Sequence, residues 1–342
     1  MGIFSIGNAR PRDNYRLSPP HFLTAKDLFA RDKDVEVFIK KVYSTAKGIP
    51  RRGAVILAPG TACNGNVFRL TADGRVLTFN HTDSFANLLA SEGFDVYLHH
   101  PGYSERVMNR YVARHCPQSI HYGKPYNAPS DLTFDTMVNW EVPMLVDAVC
   151  EDSKSENISW VGFSLGGMLA YAYLSRYKDG RIRNLATIGS PVSLTQTITQ
   201  LIAKANKFSK ALGKEEKSFL AEISENFVPL GSLVSHLPGR LIKSMPLVKF
   251  LFNPDNMHPR AIKSFFGKIV EPIPSGLENS FSHIISNGFS NMWGDFDYLE
   301  GMKRLRNGKI NFLFFYGQDD QLATADSVRL AHEVLTPNDH HN

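Results

Sequence analysis

The sequence predicts an α/β protein with a mainly parallel sheet and one helical insertion late in the chain. Three observations point there. Short apolar runs at 54–58, 94–98, 158–163 and 182–189 alternate with helical periodicities, the rhythm of successive βαβ units. That rhythm breaks after Ser190-Pro191, and residues 194 to 296 are almost wholly helical in pattern. A last apolar run, Ile310 to Tyr316, then resumes the sheet. The 342 residues, 43% of them hydrophobic, are enough for a large core.

Taken in order, residues 1 to about 20 read as an irregular arm. Asp34 to Tyr43 alternates apolar with polar in part, as a half-exposed edge strand would, with Lys40 and Lys41 among its polar members. Ala54-Val55-Ile56-Leu57-Ala58 is the signature of a strand buried on both faces. Phe85, Leu88 and Leu89 mark a short helix that Gly93 ends, and Phe94 to Leu98 follows as a strand. Residues 104 to 130 lack a clean period and read as a surface excursion. Thr133 caps a helix that runs to Cys150, and Pro143 should kink it because it has no N–H to donate. In the insertion, Leu201, Ala205, Phe208 and Leu212 make one apolar face, and Phe219, Leu220, Ile223 and Phe227 another. Ala325 to Val334 is the final helix.

Chemistry concentrates at Gly162-Phe163-Ser164-Leu165-Gly166, where a strand pattern enters a tight turn and a helical pattern leaves it. This is the context of a nucleophile elbow, which lifts a serine hydroxyl above the sheet edge. The Leu165 amide would then sit at a helix N-terminus, where it can stabilise a developing oxyanion. A serine nucleophile also needs a base and an acid that orients the base. Asp320, in Gly317-x-x-Asp320 just beyond the last strand, is the candidate acid, with Asp319 as its neighbour and alternative.

These motifs resemble the α/β-hydrolase superfamily, and within it most closely the acid (gastric and lysosomal) lipase group and its bacterial relatives. Glu92 to Leu98, Thr133 to Val138 with Val142-Pro143, and the elbow itself carry the likeness, over about 54–189 and 297–334. The resemblance implies an α/β-hydrolase core at 1–193 and 297–342, with a helical cap at 194–296. It also implies that Pro59-Gly60-Thr61 is the oxyanion loop, with the Thr61 amide as partner to that of Leu165. Polyester synthases share several of these features but use cysteine, so Ser164 ranks hydrolysis first and acyl transfer second. A catalytically silent relative with a binding role is the third reading.

In the family the histidine follows the acid by a further helix and strand. Here Thr336-Pro337-Asn338-Asp339-His340-His341-Asn342 follows the last helix directly. His340, with His341 beside it, is the candidate base within these residues. The alternatives are a base that lies beyond them and a chain that turns over no ester. The normal base is expected to be absent from these residues, with ester turnover close to background. His332 lies mid-helix and should point away from the site. His99 and His100 read as packing or pocket residues rather than the base, because in this fold the base comes last in the chain.

The cap should close an apolar cleft over Ser164, its phenylalanines (Phe208, Phe227, Phe265, Phe266, Phe281, Phe289) serving mainly as core and in part as acyl pocket. The expected substrate is therefore a small-molecule or lipid ester with an apolar acyl chain. No metal or cofactor is implied. A net charge of +5 is scattered rather than clustered, which excludes a nucleic-acid surface. Cys63, Cys116 and Cys150 form neither a disulfide framework nor a zinc pattern. With no secretory signal and no apolar run of membrane-spanning length, the expected location is the cytoplasm.

Overall fold

A computed structural model describes residues 23–32, 35–76, 84–115, 119–124, 126–194, 237–238, 241, 243, 253–306, 309–320 and 322–336. Its centre is a seven-stranded sheet in the order β1-β2-β4-β3-β5-β6-β7. The strands are β1 (Leu23–Asp32), β2 (Val35–Ser44), β3 (Gly53–Ala58), β4 (Phe94–His100), β5 (Ile158–Phe163), β6 (Ile182–Ile188) and β7 (Asn311–Phe315). β4, β3, β5, β6 and β7 run parallel, while β2 is antiparallel to both β1 and β4.

The register aligns the ends that matter. Ala58 pairs with Gly162, Phe163 with Ile188, and Ile188 with Phe315. The loops leaving β3, β5, β6 and β7 therefore emerge together at one edge. In such parallel sheets ligands bind at the carboxyl ends of the strands.

The helices are α1 (Phe85–Ser91), α2 (Glu105–His115), α3 (Val142–Ser153), α4 (Leu165–Tyr177), α5 (Pro259–Lys268), α6 (Ser275–Asn287), α7 (Tyr298–Lys303) and α8 (Ala325–Leu335). Ile56, Tyr97, Trp160, Leu185 and Phe312 face one side of the sheet and pack with apolar residues of α3, α4, α6, α7 and α8. Val55, Leu57, Val96 and Leu98 face the other side, against Ala86 and Ala90 of α1. This alternation follows from the two-residue period of a strand.

Three expectations need correction. Residues 34–43 are not an edge strand, because β1 pairs along the whole outer side of β2. Lys40 and Lys41 are buried rather than solvent-facing: Lys40 pairs with Asp27, and Lys41 with Asp95 at 3.0 Å and Asp152 at 2.8 Å. Burial of a lysine is tolerable only with such partners. The third concerns the excursion at 104–130, which contains α2. The interruption expected at Pro143 is a π-helical turn at Met137–Glu141, just before α3.

Of the span 194–296, residues 195–236, 239–240, 242 and 244–252 lie outside the described residues, Phe208 and Phe227 among them. The described part holds α5 and α6 and, among the described residues, adds no strand to the sheet. No described helix is long and apolar enough to cross a membrane.

Candidate active site

Ser164 occupies the sharp turn between β5 and α4, with φ 50° and ψ −113°. A non-glycine residue is rarely found there, and holding one costs about 1–3 kcal/mol. The surroundings over-determine it. The Ser164 N–H donates to the Ile188 carbonyl at 2.8 Å, and its own carbonyl accepts from Gly167 and Met168 at 3.0 and 3.1 Å. The flanking glycines allow the close approach: a Cβ on Gly162 would lie 2.4 Å from the Gly167 nitrogen, and one on Gly166 2.2 Å from the Ala58 oxygen. Leu165 is the first residue of α4, so its amide has no acceptor within the helix and carries the positive end of the helix dipole.

The loop that follows β3 stands against this turn. A Cβ on Gly60 would lie 3.2 Å from the Ser164 Cβ. Thr61 is next in the chain, and Ala62 after it has φ 56°, a second strained non-glycine residue. The Tyr103 hydroxyl holds the loop from beneath, 3.0 Å from the Gly60 carbonyl oxygen and 3.2 Å from that of Cys63.

Asp320 follows β7 in a turn closed by its own N–H on the Gly317 carbonyl at 3.2 Å. Its Oδ1 accepts from the amides of Leu322 and Ala323 at 2.8 and 2.9 Å. Its Oδ2 is directed at Gly189, where an added Cβ would lie 3.5 Å away. Gly189 leaves β6, the strand between β5 and β7, at the same carboxyl edge from which Ser164 emerges. Asp319 is exposed while Asp320 is half-buried, which separates the two aspartates. His340 and His341 lie outside the described residues. His332 packs its ring edge-on to Phe314, with centroids 5.3 Å apart.

His99 and His100 end β4 fully inside the protein. His99 Nε2 is 2.7 Å from Glu141 Oε1, and Glu141 Oε2 accepts from the Gly102 amide at 3.1 Å. Burial pushes the His100 ring well below its ordinary range, with the Lys40 charge adding to the effect, so it is neutral. Glu141, Tyr103 and Glu271 lie outside every sequence motif. The only local sign of each acid was a lone carboxylate amid apolar residues, Trp140-Glu141-Val142 and Val270-Glu271-Pro272.

The described phenylalanines of the insertion are packing residues. Phe281 and Phe289 belong to the main core. Phe265 and Phe266 make a smaller cluster with Cys63, Ile262 and Val270.

A family model described as the alpha/beta hydrolase fold matches residues 54–222. The PhaC subunit of poly(3-hydroxyalkanoate) polymerase from Thiocystis violacea is 33% identical over 73 residues, 21% of this chain and 20% of that protein. The match thus spans about a fifth of that relative's length. Among solved structures, serine hydrolase CCSP0084 from the bacterium Cycloclasticus zankles superposes with a TM-score of 0.49 at 14% identity, covering 93% of this chain and 89% of that one. An esterase from Exiguobacterium antarcticum gives a TM-score of 0.48 at 15% identity, covering 90% and 87%.

Proposed function

This chain belongs to the α/β-hydrolase superfamily, and from that premise we propose that it hydrolyses carboxylic esters through a covalent acyl-enzyme on Ser164. The observation that carries the reading is the backbone of Ser164, held at φ 50° between a strand and a helix N-terminus. Strain of this kind persists where a reactive group must be presented.

In the proposed reaction Ser164 Oγ attacks the ester carbonyl carbon while a histidine takes its proton. The oxyanion that forms is stabilised by the backbone amides of Thr61 and Leu165. The alcohol leaves with the proton from the histidine, and water then attacks the acyl-enzyme by the same steps in reverse. Asp320 orients the histidine and offsets its positive charge. His340 of the C-terminal tail is assigned the role of base. The substrate is an ester with an apolar acyl chain, admitted between the core (1–193 and 297–342) and a cap formed by 194–296. No metal or cofactor takes part.

A second reading, acyl transfer to an alcohol or thiol instead of water, is favoured by the 73-residue likeness to a polymerase subunit. Product analysis with competing acceptors separates the two. The test of the base is His340→Ala, which should reduce p-nitrophenyl ester turnover by about 10³-fold or more. Turnover unchanged in that variant, but lost in His99→Ala, would move the base to β4.

A further inference from the structure

We infer that Glu271 is a positioning residue for the oxyanion loop: its buried carboxylate clasps the loop at 60–66 to helix α2. The catalytic consequence rests on the ester-hydrolase reading; the clasp itself does not.

The loop needs such a clasp. It begins against Ser164 at Gly60 and passes through Ala62 at φ 56°, a conformation the chain does not hold unaided. The segment after α5 lies along it like a short strand. Cys63 bridges to Val270, the Glu271 N–H donates to the Ala62 carbonyl at 2.9 Å, and the Asn64 N–H donates to Ile269 at 3.0 Å.

The side chains then lock the pair. Asn64 Nδ2 donates to Glu271 Oε1 at 2.6 Å and to the Lys268 carbonyl at 3.1 Å. Its Oδ1 accepts from the Asn66 amide at 3.0 Å. The other carboxyl oxygen, Glu271 Oε2, accepts from the Arg106 amide at 3.0 Å, one of the first-turn donors of α2 that have no partner within their own helix. Asn64 and Glu271 are both fully buried, and 207 residues separate them in the chain.

Both partners of the carboxyl are N–H donors, so an ionised carboxylate serves both, and a carboxamide can serve only one. Burial works against that ionised form and pushes the Glu271 carboxyl up to about 7, while the bonds from Arg106 and Asn64 oppose the rise. The titratable groups around it are Cys63 in the loop, Glu105 and Arg106 on α2, and Tyr103 and Tyr126, with the Arg106 guanidinium itself donating to the Phe266 carbonyl. Near neutral pH the clasp therefore sits close to its own titration, and acid loosens it.

The experiment compares the full chain with Glu271→Gln and with the double variant Asn64→Asp/Glu271→Gln, which exchanges acid and amide. Hydrogen exchange at 60–66 should quicken about tenfold in Glu271→Gln, the loss of one charge-assisted hydrogen bond, while β5 and α4 stay protected. Ester turnover should show a fall in kcat of about tenfold with KM within about twofold, as expected when only transition-state stabilisation is lost. The double variant restores the bond between positions 64 and 271 but loses the one to the Lys268 carbonyl, so any recovery is partial. Unchanged exchange at 60–66 in Glu271→Gln overturns the clasp. If the parent chain turns over no ester and takes no fluorophosphonate, the ester-hydrolase reading fails, and the exchange data still judge the clasp.

Discussion

Gly60 and Ser164 approach so closely that a Cβ on Gly60 would stand 3.2 Å from the Ser164 Cβ and 2.9 Å from the Phe163 ring. The two residues leave neighbouring parallel strands, and in the proposed reaction the contact sets the width of the gap for the ester carbonyl. Gly60→Ala should therefore push the loop from the elbow and lower ester turnover by about 10- to 100-fold, the scale of a misplaced oxyanion donor. Steady-state kinetics beside a thermal melt check this. A large fall in Tm with proportionate loss of activity would instead make Gly60 a folding requirement.

Asp320 spends its two oxygens on separate tasks. Oδ1 closes the local turn on Leu322 and Ala323, and Oδ2 faces the Gly189 turn. Asp320→Asn keeps an acceptor for the turn and removes the charge. The fold should survive, and kcat should fall by about 10⁴-fold, as when the acid of a triad is neutralised. Asp319→Asn, at an exposed position, should leave kcat unchanged. Equal losses in both variants would show that the turn, not the carboxylate, matters.

Far from the catalytic edge, Asp152 ties the end of α3 to the sheet. It accepts from Lys26 at 2.7 Å, Lys41 at 2.8 Å and the Tyr97 hydroxyl at 2.8 Å. Burial acts to raise its pKa, yet the bonds from Lys26, Lys41 and Tyr97 outweigh that and hold the carboxyl well below the usual carboxylate range. A carboxyl with a depressed folded pKa contributes stability above the ordinary range and loses it as pH falls. Asp152→Asn should thus destabilise the protein by ~2 kcal/mol at pH 7, the scale of lost hydrogen bonds to a charged group while Lys41 keeps Asp95, and the gap to the parent should narrow below about pH 4. Urea unfolding at the two pH values measures it.

The parts of this fold that could be read from the sequence are those in which neighbouring residues decide the structure. β3 and β5 are short apolar runs, and the elbow joins a strand to a helix within ten residues, so local pattern suffices. β2 is legible as a strand, but its interior place in the sheet is not, because Lys40 and Lys41 look solvated until Asp27, Asp95 and Asp152 are brought to them by folding. α2 is hard to read locally for a related reason. Part of its N-terminal satisfaction comes from Glu271, 165 residues further along the chain. A separation of 207 residues hides the clasp on the loop at 60–66 in the same way, since neither Asn64 nor Glu271 carries a motif.

The central claim is that Ser164 is the nucleophile, and covalent labelling tests it most directly. The full chain is treated with a fluorophosphonate and the modified peptide is mapped by mass spectrometry, with Ser164→Ala alongside. The expected result is a single adduct on Ser164, absent from the folded Ser164→Ala variant. An adduct on another residue, or equal labelling in the two proteins, would contradict it.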